Sequence, residues 1–293
     1  MMKVWNRHGE EIVSNEGQNN LLKNLYGNIL GRSVLKVLTL PFITHLGGAV
    51  MNSSLSKKSI SSFVEKNNID MSQYEKKEYK SYNDFFTRKI IEGQRDIDDK
   101  AEHLISPADS KVTYYPIDEN THLLIKDSLY TISELLEDEK LAEKYKGGVC
   151  LICRLCVDDY HRYHYIDNGK TQCYKYIKGK FHTVNPIAND YYPIYKQNSR
   201  AYSLLSTENF GEVIYMEVGA MMVGKIVNYP KQHFVKGEEK GYFEFGGSTI
   251  VLLFEKNKVA IDQDIINNSL NHDETKVHLG EKIGVKFDKS MIE

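Results

Sequence analysis

Acidic side chains are absent from one long stretch of the sequence, residues 17–64. The whole chain carries 38 Lys and Arg against 40 Asp and Glu, with 41% hydrophobic residues and a net charge of −2. This composition argues against a disordered polyelectrolyte and against a nucleic-acid binder, which would normally be strongly basic. The acid-free stretch leaves −7 on the other residues and indicates a negatively charged partner. Its cations are Lys23, Arg32, Lys36, Lys57 and Lys58.

No apolar run in the sequence is long enough to cross a membrane. The most apolar one, residues 34–51, contains Lys36 and His45 and is interrupted at Pro41, whereas a spanning helix needs about 20 apolar residues. The spacing of the apolar residues predicts either a helix in a membrane interface, with its cations on anionic lipid, or an ordinary amphipathic helix packed on the protein body. The residues at three- and four-residue spacing are Leu21, Leu22, Leu25, Ile29, Leu30, Val34, Leu35 and Leu38.

Residues 1–16 are polar and carry three glutamates, so we expect no secretory signal peptide. Cysteine is scarce in the whole chain, with four residues. Cys150, Cys153 and Cys156 crowd into a short segment, where disulfide geometry is unfavourable. A reducing, cytoplasmic setting is therefore predicted. Because His161 and His164 follow closely, the same cysteines could instead bind zinc or an iron–sulfur cluster.

The local pattern around the cysteines bears on the metal hypothesis. Residues 149–157 are rich in Val, Leu, Ile and Cys, which predicts a buried strand. On a strand Cys150 and Cys156 face one side and Cys153 the other, so three thiolates could not converge on one ion. We expect small buried core cysteines and no metal site.

The sequence changes character after about residue 98. Residues 1–98 are predicted to be mainly helical, with helix-like spacing over 59–67 and 71–86. Short β-like runs with turn residues between them dominate the remainder. Helical segments followed by many strands predict an α+β protein, with a helical N-terminal region (1–98) and a mostly antiparallel, β-rich domain (99–293). The predicted elements of that domain are strands at 111–117, 148–157, 170–177, 201–205, 213–218, 225–229 and 249–254, a helix at 131–145, a polar connection at 262–274 and a strand pair within 276–287.

Three short segments carry residue types suited to catalysis. Asp159-Tyr160-His161-Arg162-Tyr163-His164 holds two histidines that could act as acid and base near neutral pH, or that could simply bond to the backbone of a turn. Gly246-Gly247-Ser248-Thr249 leaves the Gly247 carbonyl sterically open to the Ser248 hydroxyl, or forms a strand-entry bulge. Ser106-Pro107-Ala108-Asp109 places a carboxylate after a proline-fixed turn. Singly, none of the three specifies a reaction.

Considered together, motifs along the chain resemble one family. Their order is Phe85-Phe86-x-Arg88, Ser106-Pro107-Ala108-Asp109, Asp159-Tyr160-His161-Arg162-x-His164, Val184-Asn185-Pro186, Asn198-x-Arg200, Val218-Gly219-Ala220-x-x-Val223-Gly224, Lys236-Gly237-x-Glu239-x-Gly241-x-Phe243 and Gly247-Ser248-Thr249. This series resembles the phosphatidylserine decarboxylase family, in the branch with GGST, from about Asn83 to the C terminus. The chain departs from the family at Ser110, where Gly is frequent, at Arg95-Asp96, where Arg-Pro is usual, and at Ser199, where an acidic residue is common.

The resemblance implies a cofactor made from the chain itself. In such proteins the hydroxyl of Ser248 would attack the Gly247 carbonyl and cut the chain into residues 1–247 and 248–293, leaving a pyruvoyl group at position 248 and releasing ammonia. His164 would be the base of this cleavage, and Asp109 would orient it. The pyruvoyl group would accept the electrons left when CO2 departs, and His161 would reprotonate the substrate.

The implied activity is decarboxylation of phosphatidylserine to phosphatidylethanolamine by a peripheral protein at the cytoplasmic face of the cell membrane. The basic segment fits this expectation because the lipid is anionic. Two alternatives stay open, namely a pyruvoyl-dependent decarboxylase of a soluble amino acid and a non-catalytic metal- or membrane-binding module that uses residues 150–164. A homo-oligomer is compatible with the sequence, and nucleic acid is not an expected partner.

Overall fold

The computed structural model describes residues 2–12, 41–125, 128–179, 198–219, 225–229, 231–245 and 248–291. Within these residues the protein is a mixed α+β structure in which antiparallel sheets dominate, which confirms the predicted fold class at that level. The amphipathic pattern over 21–38, the Val184-Asn185-Pro186 motif and Gly247 lie outside the described residues.

The strands are numbered here in chain order. They are β1 (Val4–Trp5), β2 (Glu11–Ile12), β3 (His103–Ile105), β4 (Ser110–Pro116), β5 (His122–Ile125), β6 (Ser128–Thr131), β7 (Val149–Leu155), β8 (Arg162–His164), β9 (Gly169–Ile177), β10 (Arg200–Thr207), β11 (Glu212–Gly219), β12 (Ile226–Asn228), β13 (His233–Phe234), β14 (Glu239–Phe243), β15 (Ser248–Phe254), β16 (Val259–Ile261), β17 (Glu274–Val277) and β18 (Lys282–Lys286).

Four sheets arise from these strands. The largest has ten strands in the order β13-β9-β10-β11-β15-β7-β4-β17-β1-β2. Its pairs are antiparallel except β1 with β17, which run parallel. Two three-stranded sheets, β12-β14-β8 and β16-β18-β3, and the hairpin of β5 and β6 complete the set. The small sheet β12-β14-β8 carries the second histidine of the DYHRYH segment at the end of β8.

The helices are short, and polar side chains cap three of those described. The Ser81 hydroxyl accepts the Asp84 amide at the start of the third helix, and Thr131 forms a capping box with Glu134 at the fourth. The Asp138 carboxylate accepts the Leu141 amide at the start of the fifth helix. The α-helices are α1 (Pro41–Asn52), α2 (Ile60–Lys66), α3 (Tyr82–Phe86), α4 (Ile132–Leu136), α5 (Glu139–Ala142) and α6 (Gln263–Leu270), and single 3-10 turns occupy Ser54–Ser59, Met71–Gln73, Glu143–Tyr145 and Lys289–Met291.

The ten-stranded sheet has a hydrophobic core on each face. Successive residues of a strand point to opposite faces, so β15, which is buried throughout, contributes to both cores. Val251 and Leu253 pack with residues of α4 in one core, whereas Ile250 and Leu252 join Tyr163 and other residues of the small sheets in the second core. Each such side chain contributes roughly 1.5–3 kcal/mol when fully buried. Ser248 shares the face of Ile250 and therefore lies on the side of the second core.

The seven strands predicted between 111 and 254 are confirmed, including the one that holds Cys150 and Cys153. The predicted strand pair within 276–287 is wrong, because β17 and β18 lie in different sheets and do not pair with each other. Several predicted helices differ from the structure. Over 71–86 only a 3-10 turn and α3 are helical, and the helix at 131–145 breaks where Glu137 takes a left-handed φ of 49°. The polar connection at 262–274 contains α6.

The first described residues also differ from the helical prediction for residues 1–98. They form β1 and β2, and β1 pairs with β17 near the C-terminal end of the chain. Among the helices that the structure describes, none combines the length and the apolar character needed to cross a membrane.

Candidate active site

Ser248 is the first residue of β15, between β11 and β7. It lies opposite Gly219 on β11 and Leu155 on β7, and its side chain is fully buried. The Ser248 hydroxyl has no hydrogen-bond partner among the described residues. A buried hydroxyl without a partner costs free energy of folding, so its presence here indicates a use other than stability.

His161 follows the strand that pairs with Ser248, and its ring is held in one orientation. The Asp159 carboxylate accepts the Cys156 amide at 2.7 Å and the Lys111 ammonium at 3.2 Å, which fixes the turn. The His161 Nδ1 lies 2.9 Å from the Asp159 carbonyl oxygen. Because a carbonyl only accepts, Nδ1 carries the proton and the unpartnered Nε2 is the free acceptor. Burial lowers the pKa of His161 to about 3, so the ring is neutral at pH 7.

His164 ends β8 and is fixed through its backbone. Its amide donates to the Pro107 carbonyl at 2.9 Å, and its carbonyl accepts the Tyr215 hydroxyl at 3.1 Å. The Nδ1 of its ring is buried without a hydrogen-bond partner among the described residues. Burial lowers the pKa of His164 to about 4, while the negative charges of Glu239 and, less strongly, Asp109 act in the opposite direction. The ring is therefore a neutral base at physiological pH.

Asp109 is ionised and firmly held. Its carboxylate takes a two-point ion pair from Arg95, with distances of 3.1 Å to Nε and 2.7 Å to Nη2, and also accepts the Leu279 amide at 2.8 Å. Burial opposes the charge, but the neighbouring His278, the Arg95 pair and the Leu279 amide outweigh it and hold the pKa of Asp109 well below its usual range. The described hydrogen bonds of Asp109 do not include His164, so the two interact through charge.

The chain that enters the Gly246-Gly247 segment passes beside His161. The Phe86 ring lies 3.9 Å from the His161 ring and 5.2 Å from the Phe245 ring, measured between centroids. The Phe245 amide donates to the Asn83 side chain at 2.8 Å. Helix α3 thus joins His161 to the residue that stands two positions before Gly247. Sequence reasoning assigned no role to α3, although the Phe85-Phe86-x-Arg88 motif pointed to it.

A buried ion pair beside the site was also missed from the sequence. The Lys240 ammonium donates to the Glu217 carboxylate at 2.5 Å and to the Asn228 side chain at 2.8 Å. Glu217 is 0% and Lys240 2% exposed. The pair connects β11, which flanks Ser248, to β14, which flanks His164. The signal that could have revealed it is a glutamate inside the otherwise apolar strand at 212–219.

The cysteines do not form a cluster. Cys150 and Cys153 are free and lie in different cores, on opposite faces of β7. Ligand atoms of Cys156, Asp158 and Asp159 lie within 4.8 Å of one another. Two of these three groups contact cations of the protein, because the Cys156 sulfur accepts from Arg154 and Asp159 from Lys111. Such neighbours disfavour a metal ion at this position.

The site contains a buried serine hydroxyl without a described partner, two buried neutral histidines and an ionised carboxylate held by Arg95. These are the kinds of group that proteins use for acyl chemistry at a serine, which is the class of protein that they indicate. Comparison with known sequences then identifies the family. The sequence model of phosphatidylserine decarboxylase matches residues 82–285. The chain belongs to the phosphatidylserine decarboxylase family.

Full-length relatives agree with this assignment. Phosphatidylserine decarboxylase proenzyme 2 of Clostridium acetobutylicum is 50% identical over 287 residues, which cover 97% of this chain and 99% of the relative. The phosphatidylserine decarboxylase proenzyme of Ruminiclostridium cellulolyticum is 43% identical, with 99% of each chain covered. That of Clostridium tetani is 44% identical over 98% of this chain and 99% of its own.

Proposed function

We propose that this chain is a proenzyme that cuts itself between Gly247 and Ser248 and then decarboxylates phosphatidylserine to phosphatidylethanolamine. The buried, unpartnered Ser248 hydroxyl at the start of β15 carries the proposal. Two buried, neutral histidines follow the strand that pairs with it. The full-length relatives, which are named as decarboxylase proenzymes, support both the cleavage and the reaction.

Self-cleavage needs a base that is neutral in the folded chain, and His164 meets this requirement. It takes the Ser248 proton as the oxygen attacks the Gly247 carbonyl. The peptide C–N bond breaks, an ester bond replaces it, and the proton passes to the released amino group. Residue 248 then loses its Cα proton to solvent as its Cβ–Oγ bond breaks, which releases Gly247 as a carboxylate and leaves an enamine at residue 248. The enamine tautomerises to an imine, and one water hydrolyses this imine, which releases ammonia and leaves the pyruvoyl group.

The surroundings of residue 248 fit a pyruvoyl group, which is small and uncharged. The Ser248 side chain is fully buried next to the second core, and its Cβ would become the methyl group of the pyruvoyl, which suits apolar surroundings. When present, the pyruvoyl group supplies the electron acceptor for loss of CO2. The rings of Phe86 and Phe245 beside His161 provide an apolar environment that disfavours a carboxylate relative to neutral CO2.

His161 acts first as a base and then as an acid. Its pKa of about 3 means that Nε2 holds no proton before the substrate binds. The amino group of the substrate must lose a proton before it can react, and Nε2 is the free acceptor. The same proton returns from Nε2 to the substrate Cα after CO2 leaves. The hydrogen bond from Nδ1 to the Asp159 carbonyl keeps Nε2 available throughout.

The two product chains are predicted to remain one body. Residues 248–293 contribute β15, between β11 and β7, and β17, between β4 and β1. Both strands therefore keep neighbours from residues 1–247 on each side after the cut. We assign the reacting groups to residues 99–293 and membrane contact to residues 1–98, which also supply Phe86 beside His161.

Lipid is favoured over a soluble amino acid as the substrate. Leu55, which is 73% exposed, and the exposed Val50 lie close in sequence to Lys57 and Lys58, within the acid-free stretch. Exposed apolar residues together with cations suit a surface of anionic lipid. We propose peripheral binding at the cytoplasmic face of the cell membrane.

Intact-mass spectrometry and an activity assay test the proposal together. The wild-type protein should yield two chains, whereas Ser248→Ala should remain a single chain of 33.8 kDa. His164→Ala should slow the cut at least tenfold, because the serine loses its base. The cleaved protein should release CO2 from phosphatidylserine much faster than from free serine or aromatic amino acids.

An active but uncut wild-type chain would contradict self-cleavage at Ser248. A faster reaction with a soluble amino acid than with lipid would instead support the alternative substrate class.

A further inference from the structure

Arg95 contacts a group that we place in the self-cleavage machinery. Its guanidinium binds both carboxylate oxygens of Asp109, and both side chains are mostly buried. The remaining nitrogen, Nη1, donates to the Gln73 side chain at 2.7 Å, which fixes the guanidinium in its plane. Planar, two-point pairs of this kind set the orientation of a carboxylate as well as its charge.

Other polar groups face Asp109 from two further segments. In the connection between β17 and β18, the His278 Nδ1 lies 3.8 Å from the Asp109 Oδ1, and the Leu279 amide donates to the same oxygen at 2.8 Å. His164 at the end of β8 experiences the negative charges of Glu239 on β14 and Asp109 and the positive charge of Arg162 on its own strand. The Asp109 charge also acts on Tyr160, just before that strand. Among these groups, Arg95 makes the two-point ion pair.

We propose that Arg95 is a positioning residue for self-cleavage, since it keeps Asp109 ionised and aimed so that its charge supports His164 as the base. This inference rests on the proposed function. The two-point pair prevents rotation of the Asp109 carboxylate. Arg95 contacts both carboxylate oxygens, and the negative charge of Asp109 still acts on His164. Proton uptake by His164 from Ser248 creates a positive ring, and a fixed negative charge nearby stabilises it. Arg95 itself stays away from the reacting atoms.

The pH dependence of cleavage distinguishes positioning from simple stability. Without Arg95, less offsets the effect of burial, so the pKa of Asp109 rises even though His278 and the Leu279 amide still lower it. The carboxylate is then lost at a higher pH. A protonated Asp109 gives His164 no negative charge, so the acid limb of the cleavage rate moves towards higher pH.

The experiment uses the full chain made by cell-free translation, diluted into buffers from acid to neutral pH and followed by gel. Arg95→Met should cut at least tenfold more slowly at neutral pH, and the midpoint of its acid limb should rise by about one pH unit or more. Arg95→Lys, which keeps the charge but not the two-point geometry, should fall between wild type and Arg95→Met in both measurements.

Arg154→Met is the matched control. Arg154 makes a two-point pair with Glu274 and is about as buried as Arg95, but it points to the opposite face of the ten-stranded sheet from Ser248. It should lower the melting temperature without moving the acid limb.

Two results would overturn the proposal. One is a wild-type rate for Arg95→Met, and the other is a uniform loss of rate with an unmoved acid limb in both Arg95 variants. A wild-type chain that is never cut would instead refute the proposed function itself.

Discussion

His161 and His164 stand three positions apart, yet their environments give them different chemistry. The Asp159 carbonyl fixes the tautomer of His161, while the Nδ1 of His164 has no partner among the described residues. Burial keeps both rings neutral at physiological pH. The sequence shows two residues able to act near pH 7, but their protonation depends on how completely other segments cover them.

The neutral histidines should make the protein less stable in acid. The folded pKa values of about 3 and 4 lie below the ordinary value of 6.5, so the unfolded chain binds more protons. Stability is therefore full above pH 6.5 and falls as the pH decreases towards 4. Lowering the pH from 7 to 4.5 should reduce the free energy of unfolding by roughly 2–3 kcal/mol for each histidine.

Urea denaturation of the Ser248→Ala chain at the two pH values measures this loss. His164→Gln should reduce the pH-dependent difference by about the share of one histidine, roughly 2–3 kcal/mol, while His233→Gln, at an exposed position, should leave it unchanged. Equal pH dependence in all three proteins would show that the buried histidines do not titrate in this way.

At the scale of elements, the strands with continuous apolar runs could be predicted from the sequence, and those in the small sheets mostly could not. Strands such as β3 and β8, of three residues each, carry no measurable alternation. They form because their side chains bury the apolar residues on the second face of the main sheet. The Glu217–Lys240 pair belongs to the same arrangement, since it joins β11 of the main sheet to β14 of a small one.

Removing one partner of the Glu217–Lys240 ion pair should destabilise the fold strongly, whereas replacing both partners with apolar residues should not. Glu217→Leu leaves the Lys240 ammonium buried without a counter-ion and should lower the free energy of unfolding by about 3–5 kcal/mol. The double variant Glu217→Leu with Lys240→Met removes both charges and should recover most of the loss. Urea denaturation on the Ser248→Ala background provides the measurement. A double variant no more stable than the single one would contradict this account.

At the scale of the whole molecule, the two ends of the chain are joined through the sheet. The strand β1 pairs with β17, and the Arg7 side chain forms ion pairs with Asp262 and Asp264. Any test of the N-terminal region must therefore keep residues 2–12, because they complete the sheet that holds β15. Point variants on the exposed surface are better suited than deletions.

Membrane contact should depend on the exposed apolar and basic residues at 50–58. The double variant Leu55→Glu with Lys57→Glu should weaken binding to vesicles of phosphatidylserine and phosphatidylcholine at least tenfold, because it replaces apolar and positive contacts with negative charge. Vesicle sedimentation measures the binding, and self-cleavage should be unchanged.

Leu270→Glu with Lys286→Glu is the matched control. Leu270 is 68% exposed, and both positions lie far from the acid-free stretch in sequence. An equal loss of binding in the two double variants would mean that total charge, and not this surface, controls membrane contact.

The sequence by itself determined the order of the motifs, the apolar strands of the large sheet and the segregation of charge, because each of these is a local pattern. It marked Ser248, His164, His161 and Asp109 as candidates from their residue types, and it assigned their roles only through resemblance to a family. The tertiary structure decided what those groups can do. Leu279, distant in sequence, and Arg95 together hold the Asp109 charge, and segments from across the chain exclude water from the histidines. Desolvation and ion pairing act through space, so no spacing along the chain could have revealed them.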